Sequence, residues 1–176
     1  MGEIMRELFN MDMKNYKEKI ETSFSRPSVR GIYIKDNKLW MIYSNKYDYY
    51  KFPGGGIDNN ESFEDALVRE IQEEAGLVID PVSIKEWGHV LVKERGSEED
   101  LFIQDNYYFF YDILSSNAYR NLDNYEKEEG YELRFVSSQI ALDTNMNHYH
   151  LGYSDKTQLL REINAINLLI KEGHIK

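Results

Sequence analysis

The chain has 176 residues, 41% hydrophobic and 30% charged, enough for one domain that buries about 70% of the surface its unfolded form would expose. Thirty-one acidic against 21 basic side chains leave a net charge of −10, a field that repels nucleic-acid backbones and anionic membranes, so a polyanionic ligand would need metal ions. The absence of cysteine excludes disulfides, a thiol nucleophile and a cysteine-based zinc site; apolar runs are too short to cross a bilayer and MGEIMRELFN lacks the apolar core of a secretory signal, so a cytoplasmic location is expected.

Residues 3 to 24 place Ile4, Leu8, Met11, Tyr16 and Ile20 among charges, which predicts an amphipathic helix ended by Arg26-Pro27. From Ser28 the period changes to two: SVRGIYIK, the turn Asp36-Asn37 and KLWMIYS predict a hairpin. The loop NKYDYYKFPGGG follows. Ser62 and Asp65 then form a capping box, Phe63 to Ala75 carry the helical period, and Gly76 stands where a left-handed stop belongs. Strands are expected at SIKEWGHVLVKE and LFIQDNYYFFYDIL, on either side of the charged tip RGSEED. Residues 115 to 130 are polar, ELRFVS reads as a short strand before a possible helical turn, and Ser154 caps a last amphipathic helix through Leu160, Ile163, Ile166 and Ile170, closed by Gly173. No repeat or linker divides the chain. The expected organisation is a helical extension over 1–26 and one α/β domain over 27–176.

The central helix has an acid face. At 100° per residue Glu70, Glu73 and Glu74 fall within an arc of about 100°, beside an apolar arc of Leu67, Val68, Ile71 and Ala75. Glu70 and Glu74 repel each other at i,i+4, while Arg69 can pair with Glu73. Such a face is commonly just solvated charge. Here, however, the loop of Pro53, Gly54, Gly55 and Gly56 delivers backbone amides and carbonyls to its start. Oxygen ligands in that number suit a magnesium ion bridging carboxylates to substrate phosphates.

With Gly55, Glu61, Arg69, Glu70, Ile71, Glu73, Glu74, Gly76 and Leu77 in place, the stretch resembles the Nudix box, G-x5-E-x7-R-E-U-x-E-E-x-G-U, with every spacing intact. The resemblance implies an α/β/α sandwich around a mixed β-sheet and hydrolysis of a nucleoside diphosphate linked to some group X, with magnesium or manganese as cofactor. It implies Glu70, Glu73, Glu74 and the main-chain carbonyl of Gly55 as metal ligands, Arg69 as their orienting partner, and Glu61 supporting from behind. By analogy with MutT-type members a late acid completes the site; KEEGYELRF suggests Glu129, with Glu128 and Glu126 as alternates. Glu70 is the expected base, with Glu129 and a histidine left open.

Nucleotide contacts are sought in the aromatic run before the glycines, Tyr47, Tyr49, Tyr50 and Phe52, with Lys51 facing phosphate. Tyr107 to Tyr111 read mainly as core, His89 as structural, and His148 and His150 as exposed unless one binds metal or acts as base. The proline that resembling ADP-ribose hydrolases carry after the box is absent, as is the coenzyme A hydrolase extension, and without cysteine an isopentenyl diphosphate isomerase is excluded. The expected partner is a small-molecule nucleotide, with neither nucleic acid nor membrane. A non-catalytic nucleotide sensor is the alternative function, and a homodimer through the N-terminal stripe is a further expectation.

Overall fold

The computed structural model describes residues 5–116, 118–150 and 155–176, with 148–150 described by backbone alone. Ten-residue strands β8 (Lys85–Glu94) and β9 (Leu101–Phe110) form the central antiparallel pair of a five-stranded sheet. On one side β1 (Glu7–Asp12) runs parallel to β8. On the other, β2 (Ser23–Ser25) and β3 (Ser28–Ile32) lie end to end along β9, both parallel to it. Mixed parallel and antiparallel pairing is what the resemblance implies.

A second sheet orders β11 (Tyr131–Val136), β5 (Lys38–Ser44) and β4 (Ile34–Lys35), with β6 (Tyr49–Lys51) also paired to β5. The expected hairpin joins β4 to β5. Asp36 and Asn37 both take positive φ (50° and 56°), the two-residue turn whose twist matches antiparallel strands. A two-stranded ribbon of β7 (Val78–Ile79) and β10 (Ile113–Ser115) completes the strands.

Helix α1 (Phe63–Ala75) forms as its caps dictate: Ser62 accepts from the Asp65 amide, and Gly76 closes the helix at φ 68°. Its Ala66, Leu67 and Ile71 pack on Val29, Ile42, Phe109 and Tyr131. Across the sheets, α3 (Ser138–His150) and α4 (Lys156–Lys171) bring Ala141, Leu142, Ala165, Ile166 and Leu169 against Met41, Phe52, Val90 and Tyr108. These two apolar clusters make the α/β/α sandwich. A short helix, α2 (Asn124–Glu129), interrupts the polar stretch because Asp123 and Glu126 cap each other and Gly130 stops it in the left-handed conformation. Among the described residues no helix is long and apolar enough to cross a membrane.

The N-terminal expectation is corrected. Residues 7–12 form a strand, and 13–22 run without helix. Gly88 explains how β1 docks: a Cβ there would come within 2.7 Å of Leu8 Cγ, so only glycine lets the strand lie this close to β8. Asp100 fastens the following segment by accepting from the amides of Glu21 and Thr22, at 3.0 and 3.2 Å, and pairing with Lys17. The helical stripe meant to receive a second copy is therefore absent; Ile20 is exposed and Tyr16 donates to Asp12. Ile4 lies outside the described residues, as does Ser154, the expected cap of α4, whose observed cap is Asp155 accepting from the Gln158 amide.

Candidate active site

The glycine loop is fixed by β3. The amide of Val29 donates to Gly55 O (2.9 Å) and that of Gly31 to Pro53 O (2.8 Å), so residues 53–56 lie along an otherwise buried strand and bridge the two sheets. The start of α1 is thereby held across from them. The Glu70 carboxyl packs directly on Gly55; a Cβ added there would stand 2.6 Å from Glu70 Cδ and push that carboxyl aside.

Arg69 organises the acids. Its Nε and Nη2 donate to the two oxygens of Glu61 (2.8 and 2.7 Å), its Nη1 to Glu70 (2.7 Å) and Glu73 (3.2 Å), and its Nη2 also to Gly56 O (3.0 Å). This is the bidentate fork only arginine provides. Pairing with Glu73 was expected from the spacing and an orienting role from the resemblance; capture of Glu61 by the same guanidinium was not. The Glu61 hydrogen bond leads the causes that raise the Arg69 pKa, and the same bond lowers that of Glu61. Burial pushes the Glu70 carboxyl upward against the pull of Arg69.

Glu74 is separated from this group. It is 1% exposed, forms an ion pair with buried Lys51, and accepts from the Gly54 amide at 2.8 Å. The Lys51 ammonium also lies 4.9 Å from the Tyr131 ring centroid. Among the late acids, Glu126 is the one that senses Glu74: burial first, and then Glu74, raise its pKa. Glu129 turns away, accepting from Ser44 Oγ (2.8 Å) and Tyr49 OH (2.9 Å), and Glu128 is exposed. Of the three late acids, Glu126 is the buried one and lies beside Glu74, because α2 turns it inward.

A cleft of about 160 Å³ opens over the loop, lined by Gly54, Gly55 and Gly56 with Lys51, Arg30 and Arg26. Arg30 is 6% exposed, donates to Asn106 Oδ1 (3.2 Å) and binds Gly54 O. Burial lowers its pKa. Arg26 lies flat over Gly56, where a Cβ would meet Arg26 Nε at 2.6 Å. Three cations therefore line one cleft of an acidic protein, and a polyphosphate meets positive charge there before any metal is considered.

Of the residues expected to hold substrate, only Lys51 reaches this cleft. Phe52 is fully buried against Tyr108, and Tyr50 is 6% exposed, with its amide and carbonyl bonded to the Asn145 side chain. Both are core, corrected from ligand contacts, because the strand that carries them is sandwiched between a sheet and α3. His89 bonds Asp105 (2.9 Å) as a structural histidine; the side chains of His148 and His150 lie outside the described residues. The sequence reading missed Arg26 and Arg30. A charge in the middle of the apolar strand SVRGI was the available signal for the second.

The donor set fits a hard divalent cation: carboxylates of Glu70, Glu73, Glu74 and Glu126 and loop carbonyls, all oxygen. Among the described residues no three acids or histidines already surround one point, since Arg69 and Lys51 hold the carboxylates apart. The Gly55 carbonyl keeps one lone pair beyond the Val29 bond.

A model of the NUDIX domain family matches residues 25–154. The chain is similar to an RNA pyrophosphohydrolase of Teredinibacter turnerae, 44% identical over 68 residues, 37% of this chain and 39% of that protein. It is also similar to an ADP-ribose pyrophosphatase of Methanocaldococcus jannaschii, 36% identical over 70 residues, 38% of this chain and 40% of that one. The matches thus span about two fifths of these relatives. Among solved structures, a NUDIX hydrolase from Nitrosomonas europaea superposes with a TM-score of 0.54 at 17% identity, covering 81% of this chain and 90% of the other, a likeness of fold.

Proposed function

The chain belongs to the Nudix family, and we propose that it hydrolyses the pyrophosphate linkage of a nucleoside diphosphate linked to X, a nucleoside triphosphate or related nucleotide, with magnesium or manganese. The observation that carries the reading is the Arg69 fork, which holds Glu61, Glu70 and Glu73 together, with Glu70 against a glycine loop whose residues line a cation-rich cleft. Nudix hydrolases generally use divalent ions. Glu70, Glu73, Glu74 and Glu126, with Gly55 O, would hold them here. A bound ion would neutralise phosphate oxygens and lower the pKa of the attacking water.

The chain's own groups do the rest. Arg30, Lys51 and Arg26 draw the phosphates onto the loop, whose close backbone approach needs glycine. Glu70, whose carboxyl burial pushes upward and which lies against Gly55, would accept the proton of water as the water oxygen bonds phosphorus and the bridging P–O bond breaks, the phosphate on its far side leaving. Arg69 sets the carboxylate in position.

The test is phosphate release from nucleoside triphosphates, nucleotide sugars, dinucleoside polyphosphates, ADP-ribose and, given the relative's name, RNA with a polyphosphate end. Wild type is compared with Glu73→Gln, in Mg²⁺ or Mn²⁺. Turnover abolished by the substitution is the expected result. The Lys51–Glu74 pair, which already neutralises one acid, favours a second reading as a nucleotide sensor; binding without turnover across the panel would support that reading and overturn the first.

A further inference from the structure

Beside this cleft lies a more enclosed cavity of about 110 Å³ between β3, β9 and the start of α4. Arg30, Gln104 and Gln158 line both spaces; Phe102 and Val92 wall the inner one. Nearly every polar group there is committed. Gln104 donates to Ser28 Oγ (3.2 Å) and accepts from Arg161 (3.0 Å), and Arg161 also bonds Glu162 (2.8 Å). Thr157 donates to Glu94, and Arg30 to Asn106 and Gly54. The Gln158 side-chain nitrogen differs. It is buried, and among the described residues it has no hydrogen-bond partner. A buried amide left so is unfavourable, and a cavity of this size holds several waters or one small flat group.

We propose that the Gln158 amide is a specificity-determining donor, which meets a carbonyl or ring-nitrogen acceptor on the heterocyclic base of the nucleotide as the base enters this inner cavity. The inference rests on the nucleotide reading above. The phosphates occupy the glycine and cation end, so the nucleoside must lie away from it. The inner cavity adjoins that end, sharing Arg30, Gln104 and Gln158 with it, and its Phe102 ring, backed by Phe24 at 5.9 Å, gives a planar group an aromatic wall. A donor fixed in a closed space rejects a base that presents only another donor, because one group then stays unpaired.

The test is calorimetric binding of α,β-methylene analogues of ADP, GDP, CDP and UDP, which contain no P–O–P bridge to cut, with methylene bisphosphonate as the matching baseless control, in Mg²⁺. Wild type is expected to favour at least one base by about tenfold. Gln158→Leu, similar in volume without the donor, should lose about five- to tenfold for that base, as one hydrogen bond commands, and nothing for the control. Gln158→Glu, which keeps the shape and inverts the polarity, should change the order of preference. Equal losses for control and nucleotides, or unaltered ratios among bases, would overturn the inference. Wild type that binds the control without discriminating bases would overturn it while leaving the hydrolase reading intact. Binding of neither would count against both, and the phosphate-release assay would then judge the reaction by itself.

Discussion

Replacing Arg69 with alanine should cost about 3 kcal/mol of folding stability. The guanidinium makes five hydrogen bonds, four of them to carboxylates and two of those to Glu61 alone. The Glu61 and Glu70 side chains are each 15% exposed, so both acids would be left poorly solvated and mutually repelling; Glu73, at 35%, would recover water at little cost. Hydrogen bonds to charged groups contribute about 1.5–3 kcal/mol each, and removing one partner of a buried pair costs about 3–5. Because the bonds share one donor and the site is partly exposed, the total stays near the value for one buried pair. In urea this shifts the midpoint down by roughly 1.5 M at a slope near 2 kcal/mol/M, with the slope unchanged. Arg69→Lys keeps the charge without the fork and should recover about half. An alanine variant within about 0.5 kcal/mol of wild type would refute the idea that this one side chain holds the acids together.

The buried Lys51–Glu74 pair predicts that Lys51→Met loses about 3–5 kcal/mol, and that adding Glu74→Gln restores at least half of it by removing the stranded charge; equal urea midpoints for the single and double variants would contradict this. Gly55→Ala places a methyl against the Glu70 carboxyl, so proposed turnover should fall at least tenfold while the thermal midpoint drops only slightly; unchanged turnover would show that Glu70 need not sit there. Asp100 has its carboxyl held down to about 2, chiefly by Lys17 and then by the Glu21 amide. Its contribution is therefore complete above the unfolded value of about 3.9 and lost as pH falls through 2. Urea midpoints between pH 5 and 2 should fall less steeply in Asp100→Asn than in wild type, and parallel curves would discount the interaction.

Elements whose signals lie within a few residues were legible. Ser62, Asp65 and Gly76 define α1 without help from the rest of the chain, and Asp36-Asn37 can hardly do other than turn. The N-terminal segment misled because ELFNMD offers apolar residues at positions compatible with either period. The choice was made by a partner some eighty residues away, where Gly88 left room on β8. At the site, the spacing of acids on one helix fixed which carboxylates gather. It pointed to Arg69, on the same helix, but was silent about Lys51 pairing with Glu74, since that lysine arrives from β6. Tyr50 and Phe52 show the opposite failure: aromatic residues before a glycine loop suggest a binding surface, but Asn145 and Glu162, distant in sequence, draw that backbone into the core.

That last arrangement also bears on solubility. A strand pairs on both sides, and the outer side of β6 has no neighbouring strand. Asn145, itself without exposed surface, fills that place: its side chain accepts from the Tyr50 amide at 2.7 Å and donates to the Tyr50 carbonyl at 2.9 Å, as an adjoining peptide would. Two residues further along, Glu162 takes the Phe52 amide at 3.0 Å. Helices α3 and α4 thus cover this edge with two polar side chains, so that at Tyr50 and Phe52 the backbone groups another chain would need in order to add a strand here are already taken.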